Sequence, residues 1–459
     1  MNDSDQVMRR SVAADQAAER TQHAAFEHRW RPSPALPAAI TVALIFAALG
    51  LVLSRPDLVV LAVPFIAVAG WAWAFRREST RSQVTITVDE TPRTVRDARM
   101  LHYAVALATL PDTQTVQVRC TAQEIDRAST TLAAGGVGST GFTGVIPVLH
   151  SGPHEFLRLD YRLVTADGAF VGEPSRLVRV NRVVPAPFTP IGSLPLPHRL
   201  QGMTGAHDSA RPGDGGEFRD VHPFHPGDRL RRIDWKATAR LGRSPGDLYV
   251  RRSAATADAT VFVMIDSAAD VGESVADWPT GTATLTGVTS MDLARQAAAS
   301  IAAGYIKAGD QVALQDLTST TRVVPLGSGS RHLHRVLQTI SMTTATGRAV
   351  SRLRPPVVTP GALIYLISPF LDDEPARLAT LWRGSGHRVI AVDVLPAPHR
   401  DRLTLQQRTA HRMISMERND RLRELTAAGV EVIRFAEDGV PGPWDARLRV
   451  LARPRKRSR

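Results

Sequence analysis

Two uncharged apolar runs lie side by side near the start of the chain, and they constrain it more than any other feature. Residues 36–54 read LPAAITVALIFAALGLVLS and residues 58–75 read LVVLAVPFIAVAGWAWAF. Each approaches the roughly 20 residues that cross about 30 Å of hydrocarbon as a helix. Only Arg55, Pro56 and Asp57 separate them, so a tight helical hairpin is expected. Arg29 and Arg31 precede the first run; Arg76, Arg77 and Arg81 follow the second. Positive charge at both outer ends predicts two spans through the lipid bilayer with both termini in the cytoplasm. Trp71 and Trp73 fall where amphipathic rings favour the interface. A cleaved signal peptide fits poorly, because the first 35 residues are long and polar. A buried hairpin in a soluble protein is the competing structural reading.

The remaining chain is long enough for sizeable cores. Its 459 residues suggest about three units, and 43% of them are hydrophobic. The single cysteine, Cys120, excludes an intramolecular disulfide and alternates with Val116 and Val118 as on the inner face of a strand. The net charge of +12 is almost all arginine, with acids interspersed, so nucleic acid is not expected as a partner. The run Arg453–Arg459 carries five basic residues and no acid, which suits either anionic headgroups or solvent.

Periodicity divides the chain. Residues 1–35 read as a polar tail and 36–75 as the transmembrane hairpin. Over 82–200 apolar residues recur with period two, as in Val84, Ile86 and Val88 or Leu157, Leu159 and Tyr161, and predict a β-sandwich-like domain. Gly135, Gly136, Gly138, Gly141 and Gly144 match no phosphate-loop spacing and read as a flexible loop between strands. Residues 186–216, rich in Pro and Gly, read as an extended connection. Over 257–440 apolar runs such as 260–265, 362–367 and 388–394 alternate with helical patterns, including one from Ser290 to about Ala308. This predicts a Rossmann-like α/β domain whose parallel sheet is covered on both faces. Residues 441–459 read as a basic tail.

Between the β-rich and α/β regions, residues 201–256 hold the most specific stretch. Asp228, Arg229, Arg231, Arg232, Asp234, Trp235, Lys236 and Arg240 stand in a segment that opens with the turn signal Pro226-Gly227-Asp228. Two physical readings stand: a clasp built on internal Arg–Asp pairs, or a docking face for an acidic partner with Trp235 as apolar anchor. His222 and His225 raise the question of a metal, but Pro223 and Pro226 disfavour a helical H-x-x-H site, and no nearby Cys or Glu completes a set.

The segment from Pro226 to Arg240 closely resembles the signature of the bacterial "domain of unknown function 58" family. The order of hairpin, β-domain, signature and von Willebrand factor A-like domain resembles that family over roughly residues 36–440. The resemblance implies a MoxR-type AAA+ ATPase as partner and a role in protein assembly or maturation. It also implies a divalent ion at an Asp-x-Ser-x-Ser pattern. Here that pattern reads Asp266-Ser267-Ala268-Ala269-Asp270, and Pro369 stands where a further Asp is expected. Asp266 and Asp270 are thus candidate ligands of a degenerate site, with Thr343, Thr344 or Thr346 as loose candidates for a threonine ligand. Mg²⁺ is not expected to work there, and no other cofactor or small-molecule substrate is indicated. The leading expectation is a non-enzymatic, membrane-anchored scaffold. The alternatives are a metal-dependent hydrolase using Asp266, Asp270, His222 and His225, or an extracytoplasmic adhesion-type module.

Overall fold

The computed structural model describes residues 21–453 apart from 75–78, 89–92, 96–97, 109–112, 122–128, 134–138, 166–167, 175–177, 190, 193, 199, 201–206, 245, 281–286, 320–322, 349, 401–402, 438–439 and 442–443. Arg76, Arg77 and residues 454–459 of the basic tail therefore lie outside the described residues. The chain divides into two compact units, residues 1–149 with 154–182, and residues 150–153 with 183–459.

In the first unit, Thr21–Pro32 (β1) leads into helices Ala35–Val52 (α1) and Pro56–Ala74 (α2), and the chain returns in Ser79–Val88 (β2). β1 and β2 pair antiparallel from Thr21↔Thr87 to Arg29↔Ser79. The apolar helices thus stand where a β-hairpin would have its turn. Residues 21–32, expected within a polar tail, are a strand because β2 supplies the partner that their polar sequence does not advertise.

The two helices are each long and apolar enough to cross a membrane. Their buried residues are few and mostly small: Leu36, Ala43 and Gly50 on α1, and Ala62, Ala69 and Ala72 on α2. The seven-residue spacing of Leu36, Ala43 and Gly50, and of Ala62 and Ala69, keeps a small-residue seam facing the neighbouring helix. A Cβ at Gly50 would meet Val59 Cγ2 at 2.5 Å, so the backbones approach where only glycine fits. The larger apolar side chains point outward: Leu51 is 77% exposed, Val60 66% and Trp71 66%. The hairpin that a soluble core would require buries such groups, and this one does not.

The unit's other strands are Arg93–Val95 (β3), Ala98–Ala108 (β4), Thr113–Thr121 (β5), Ser129–Ala133 (β6), Ser139–Pro147 (β7), Gly152–Thr165 (β8), Phe170–Gly172 (β9) and Val178–Val184 (β10). They join in the order β3-β4-β2-β1-β9-β8-β5-β6, with β7 on β4 and β10 on β8. Leu157, Leu159, Tyr161 and Leu163 are buried on one face of β8, and Val116 and Val118 are buried on β5. Cys120 pairs with Leu159 in backbone register; its side chain lies outside the described residues. Gly141 and Gly144, expected in a flexible loop, sit within β7, and Gly144 pairs with Tyr103. The Tyr103 ring occupies the space a Cβ at 144 would need.

The second unit contains a long hairpin, His207–Pro223 (β11) against Tyr249–Ala257 (β12). Residues 207–216, expected in an extended connection, thus belong to a strand, and bulges between Ser209 and Asp220 absorb its Pro and Gly. The central sheet comprises Thr260–Ile265 (β13), Gln311–Asp316 (β14), Val323–Gly327 (β15), Leu363–Ser368 (β16), Arg388–Asp393 (β17) and Glu431–Arg434 (β18). Its order is β15-β14-β13-β16-β17-β18. All neighbours are parallel except β15, which runs antiparallel to β14. Every residue of β16 is buried, which explains its unbroken apolar run.

Besides Trp235–Leu241 (α3) beside the hairpin, the helices are Ser290–Lys307 (α4), Ser330–Met342 (α5), Asp373–Gly384 (α6), Leu405–Ala427 (α7) and Trp444–Ala452 (α8). One core contains Ala297, Tyr305, Val336, Trp444 and Leu448, and a second contains Leu378, Trp382 and Leu425. These are the two faces of the sheet, one under α4, α5 and α8 and the other under α6 and α7. α8 lies where a basic tail was expected. Its Trp444 and Leu448, one turn apart, are buried, while Arg447 and Arg449 face outward. Thr289 rather than Ser290 caps α4, in a capping box with Asp292.

Candidate functional site

The signature segment is the folded tip of the β11–β12 hairpin. Phe224 N donates to Leu248 O at 2.8 Å, Asp234 N donates to Tyr249 O at 2.8 Å, and Ile233 bridges to Val250. Pro226-Gly227-Asp228 turns the chain; Gly227 has a φ of +108°, which a side chain would strain. Asp234 caps α3, its Oδ1 accepting from Ala237 N at 2.9 Å. Asp228 Oδ2 accepts from His225 N at 2.9 Å. Asp228 and Asp234 thus each hold a backbone amide and shape the tip.

That arrangement leaves an unusual surface. Leu230 is 68% exposed, Trp235 69% and Leu241 51%. Arg229, Arg231, Lys236 and Arg240 are also exposed, and Arg232 is half-buried. Large apolar groups thus face solvent between cations.

His222 and His225 come together with a residue the sequence reasoning did not connect to them. One ligating atom from each of His222, His225 and Asp228 lies within 4.8 Å of the other two. His222 Nε2 is 3.4 Å from Asp228 Oδ2, and the two imidazole rings have centroids 5.3 Å apart. The available signal was the spacing H-x-x-H-x-x-D across a proline-glycine turn.

The second candidate region is the carboxyl edge of the sheet, where β13, β14, β16 and β17 end in Asp266, Asp316, Ser368 and Asp393. Asp266 Oδ2 accepts from Ser368 Oγ at 2.7 Å, and its Oδ1 accepts from Ala268 N at 3.1 Å. Burial pushes its carboxyl above the usual range; the Ser368 and Ala268 bonds oppose that, and Asp372 and Asp316 add to it. Asp270 turns away to the start of α4, accepting from Met291 N at 3.0 Å and Ser290 Oγ at 3.2 Å. It too is raised by burial. Pro369 O receives Arg418 Nε at 2.8 Å.

The residues present do not fit the divalent ion that the von Willebrand resemblance implies. Ala268 and Pro369 offer no side-chain oxygen, and Asp266 and Asp270 are engaged on different elements. Of the threonines considered, Thr346 reaches the end of β13, its N donating to Ser267 O at 2.9 Å. Thr343 Oγ1 turns back to Thr339 O within α5's last turn. Thr318, which the sequence reading passed over, is close to Ser267 Oγ and donates its N to Asp316 Oδ1 at 3.0 Å.

Residues 220–432 match the family model described as "Protein of unknown function DUF58". The match covers 213 of the 459 residues. The chain is also similar to the uncharacterized proteins Mb1516 of Mycobacterium bovis and Rv1480 of Mycobacterium tuberculosis, each 29% identical over 221 residues. That similarity covers 44% of this chain and 62% of the length of those relatives. No solved structure matches.

The matched stretch starts two residues before His222 and holds both candidate regions. The second unit also carries a cleft of about 570 Å³ lined by Trp278, Leu395, Arg400, His411, Arg418 and Arg434, among others. Arg418 pairs with buried Asp393, and Arg434 Nε lies 3.6 Å from the same carboxylate. Burial, and then the nearby Arg400 charge, hold His411 below its ordinary value. This lining was illegible in sequence because five segments, spread from Trp278 to Arg434, contribute it.

Proposed function

We propose that this chain is a non-enzymatic, membrane-anchored docking protein. α1 and α2 cross the bilayer with both termini in the cytoplasm, and the second unit is a von Willebrand A-like scaffold that presents the hairpin tip to a protein partner. One observation carries the reading: Leu230, Trp235 and Leu241 face solvent, interleaved with Arg229, Arg231, Lys236 and Arg240. Exposed aromatic and Arg groups are the anchors of contact surfaces, and the cationic excess selects an acidic patch on the partner. The family resemblance implies that this partner is a MoxR-type AAA+ ATPase acting in protein assembly or maturation.

The test is co-purification of the detergent-solubilised full chain with such an ATPase. Arg231→Glu combined with Arg232→Glu is expected to abolish capture and leave the melting temperature unchanged. Capture that survives the double substitution sinks the docking reading, and an equal loss of stability favours the clasp. Orientation is tested by labelling Gly213→Cys in a Cys120→Ser background. Labelling only after permeabilisation is expected; labelling of intact cells overturns the topology.

A further inference from the structure

We propose that His222, His225 and Asp228 bind a divalent transition metal of the zinc class. Ligands about 2.0–2.1 Å from a tetrahedral Zn²⁺ stand about 3.3 Å apart. His222 Nε2 and Asp228 Oδ2 are already 3.4 Å apart. Among the described residues, His222 Nε2 is a buried nitrogen with no hydrogen-bond partner. A buried polar atom left so costs free energy that a ligand bond would recover.

His225 is oriented as metal-binding histidines usually are. Its Nδ1 lies 2.8 Å from Pro223 O, a bond that places the proton on Nδ1 and leaves the lone pair on Nε2. Asp228 is held in place by His225 N. Asp220, two positions before His222 and on the same face of β11, has a buried Oδ1 without a hydrogen-bond partner among the described residues, and adds negative charge to that side. Two imidazoles and one carboxylate suit Zn²⁺, Co²⁺ or Ni²⁺ and are a poor cage for Mg²⁺ or Ca²⁺. The prolines that preclude a helical H-x-x-H do not preclude this site, because a turn rather than a helix brings the ligands together.

The ion would tie β11 to the turn that launches Arg229–Lys236. Metal control of docking rests on the reading above; metal binding itself does not, and the experiment reads binding alone. The chelator-treated full chain in detergent is titrated with Co²⁺. A tetrahedral visible spectrum that saturates at one equivalent and is displaced by Zn²⁺ is expected. His225→Ala, at an exposed position, and Asp228→Asn each weaken binding by about 100-fold or more, and the exposed His334→Ala leaves it unchanged. A readout that needs no substitution is carbethoxylation of the wild-type chain, in which Zn²⁺ shields His222 and His225. Absence of the tetrahedral spectrum, its survival in His225→Ala, or failure of Zn²⁺ to shield those rings overturns the proposal.

Discussion

The hairpin tip and the carboxyl edge of the sheet use the same residue types to opposite ends. At the sheet edge, Asp266, Asp316 and Asp393 are buried and engaged by Ser368, Ser267, Thr318 and Arg418. At the tip, Asp228 and Asp234 serve backbone amides, and Arg229, Arg231, Arg240 and Trp235 are exposed. A parallel sheet covered on both faces must satisfy every polar group at its edge from within. A hairpin tip has water on several sides and can leave side chains exposed to it. Polar residues that look catalytic in a row of sequence therefore hold the fold together in one region and form a surface in the other.

The largest effect that would break this contrast is at the edge. Arg418→Ala leaves Asp393 buried without its main partner, since the two side chains are 7% and 5% exposed. A loss of about 3–5 kcal/mol in urea unfolding is expected. A loss under about 1 kcal/mol would mean that the edge is not held by its ion pairs.

Next is the contact of residues 150–153 with α4. His150 Nδ1 lies 2.6 Å from Asp292 Oδ2, and Ser151 N donates to Asp292 Oδ1 at 2.7 Å. Arg295 Nη1 donates to Ser151 O at 2.7 Å, and the guanidinium sits where a Cβ on Gly152, at a φ of +97°, would be. Burial alone would raise Asp292, but His150 and then Ser151 hold it below its ordinary 3.8. Burial alone would lower His150, but Asp292 raises it above 6.5. The depressed acid contributes stability above 3.8 that is lost as pH falls through its folded value. The raised histidine contributes below 6.5 and is lost as pH rises through its folded value. His150→Ala is expected to cost about 1.5–3 kcal/mol within that window and progressively less outside it on either side. A pH-independent cost would show that the charge on His150 is not involved.

Asp234→Ala removes the cap of a seven-residue helix and is expected to cost about 1 kcal/mol, seen as faster amide exchange confined to the tip. Asp266→Asn should do the reverse of an ordinary core substitution and raise the melting temperature at neutral pH. The acid whose folded value is raised is a liability once ionised, so the gain shrinks as pH falls through that value. A loss of stability at neutral pH would show that the ionised carboxylate is needed at this edge. Smallest is Trp235→Ala: because Trp235 is 69% exposed, its stability effect should stay within about 0.5 kcal/mol while partner capture falls.

Sequence reading located the features that depend on local pattern. The apolar runs match α1 and α2 to within a residue or two, and 260–265 is β13 itself. It missed elements whose partners lie far away. β1 is polar and becomes a strand beside β2, whose paired residues lie 50 to 66 positions on. β11 carries Pro and Gly that bulges absorb. α8 buries only Trp444 and Leu448 among its arginines. The same reasoning listed most residues of the tip yet left Asp228 out of the histidine set, because turn geometry, not helical spacing, brings it there.

By itself the amino-acid sequence determined where the chain is apolar enough to span a membrane, where strands and helices alternate, and which stretch carries a family signature. Those are properties of composition and short-range period, and they survive without knowing the fold. Only the tertiary structure decided that Asp270 turns from Asp266 toward α4, that Leu230 and Trp235 face solvent, and that His222, His225 and Asp228 converge. Each depends on which distant backbone a side chain meets, and that is set when sheets pair and turns close.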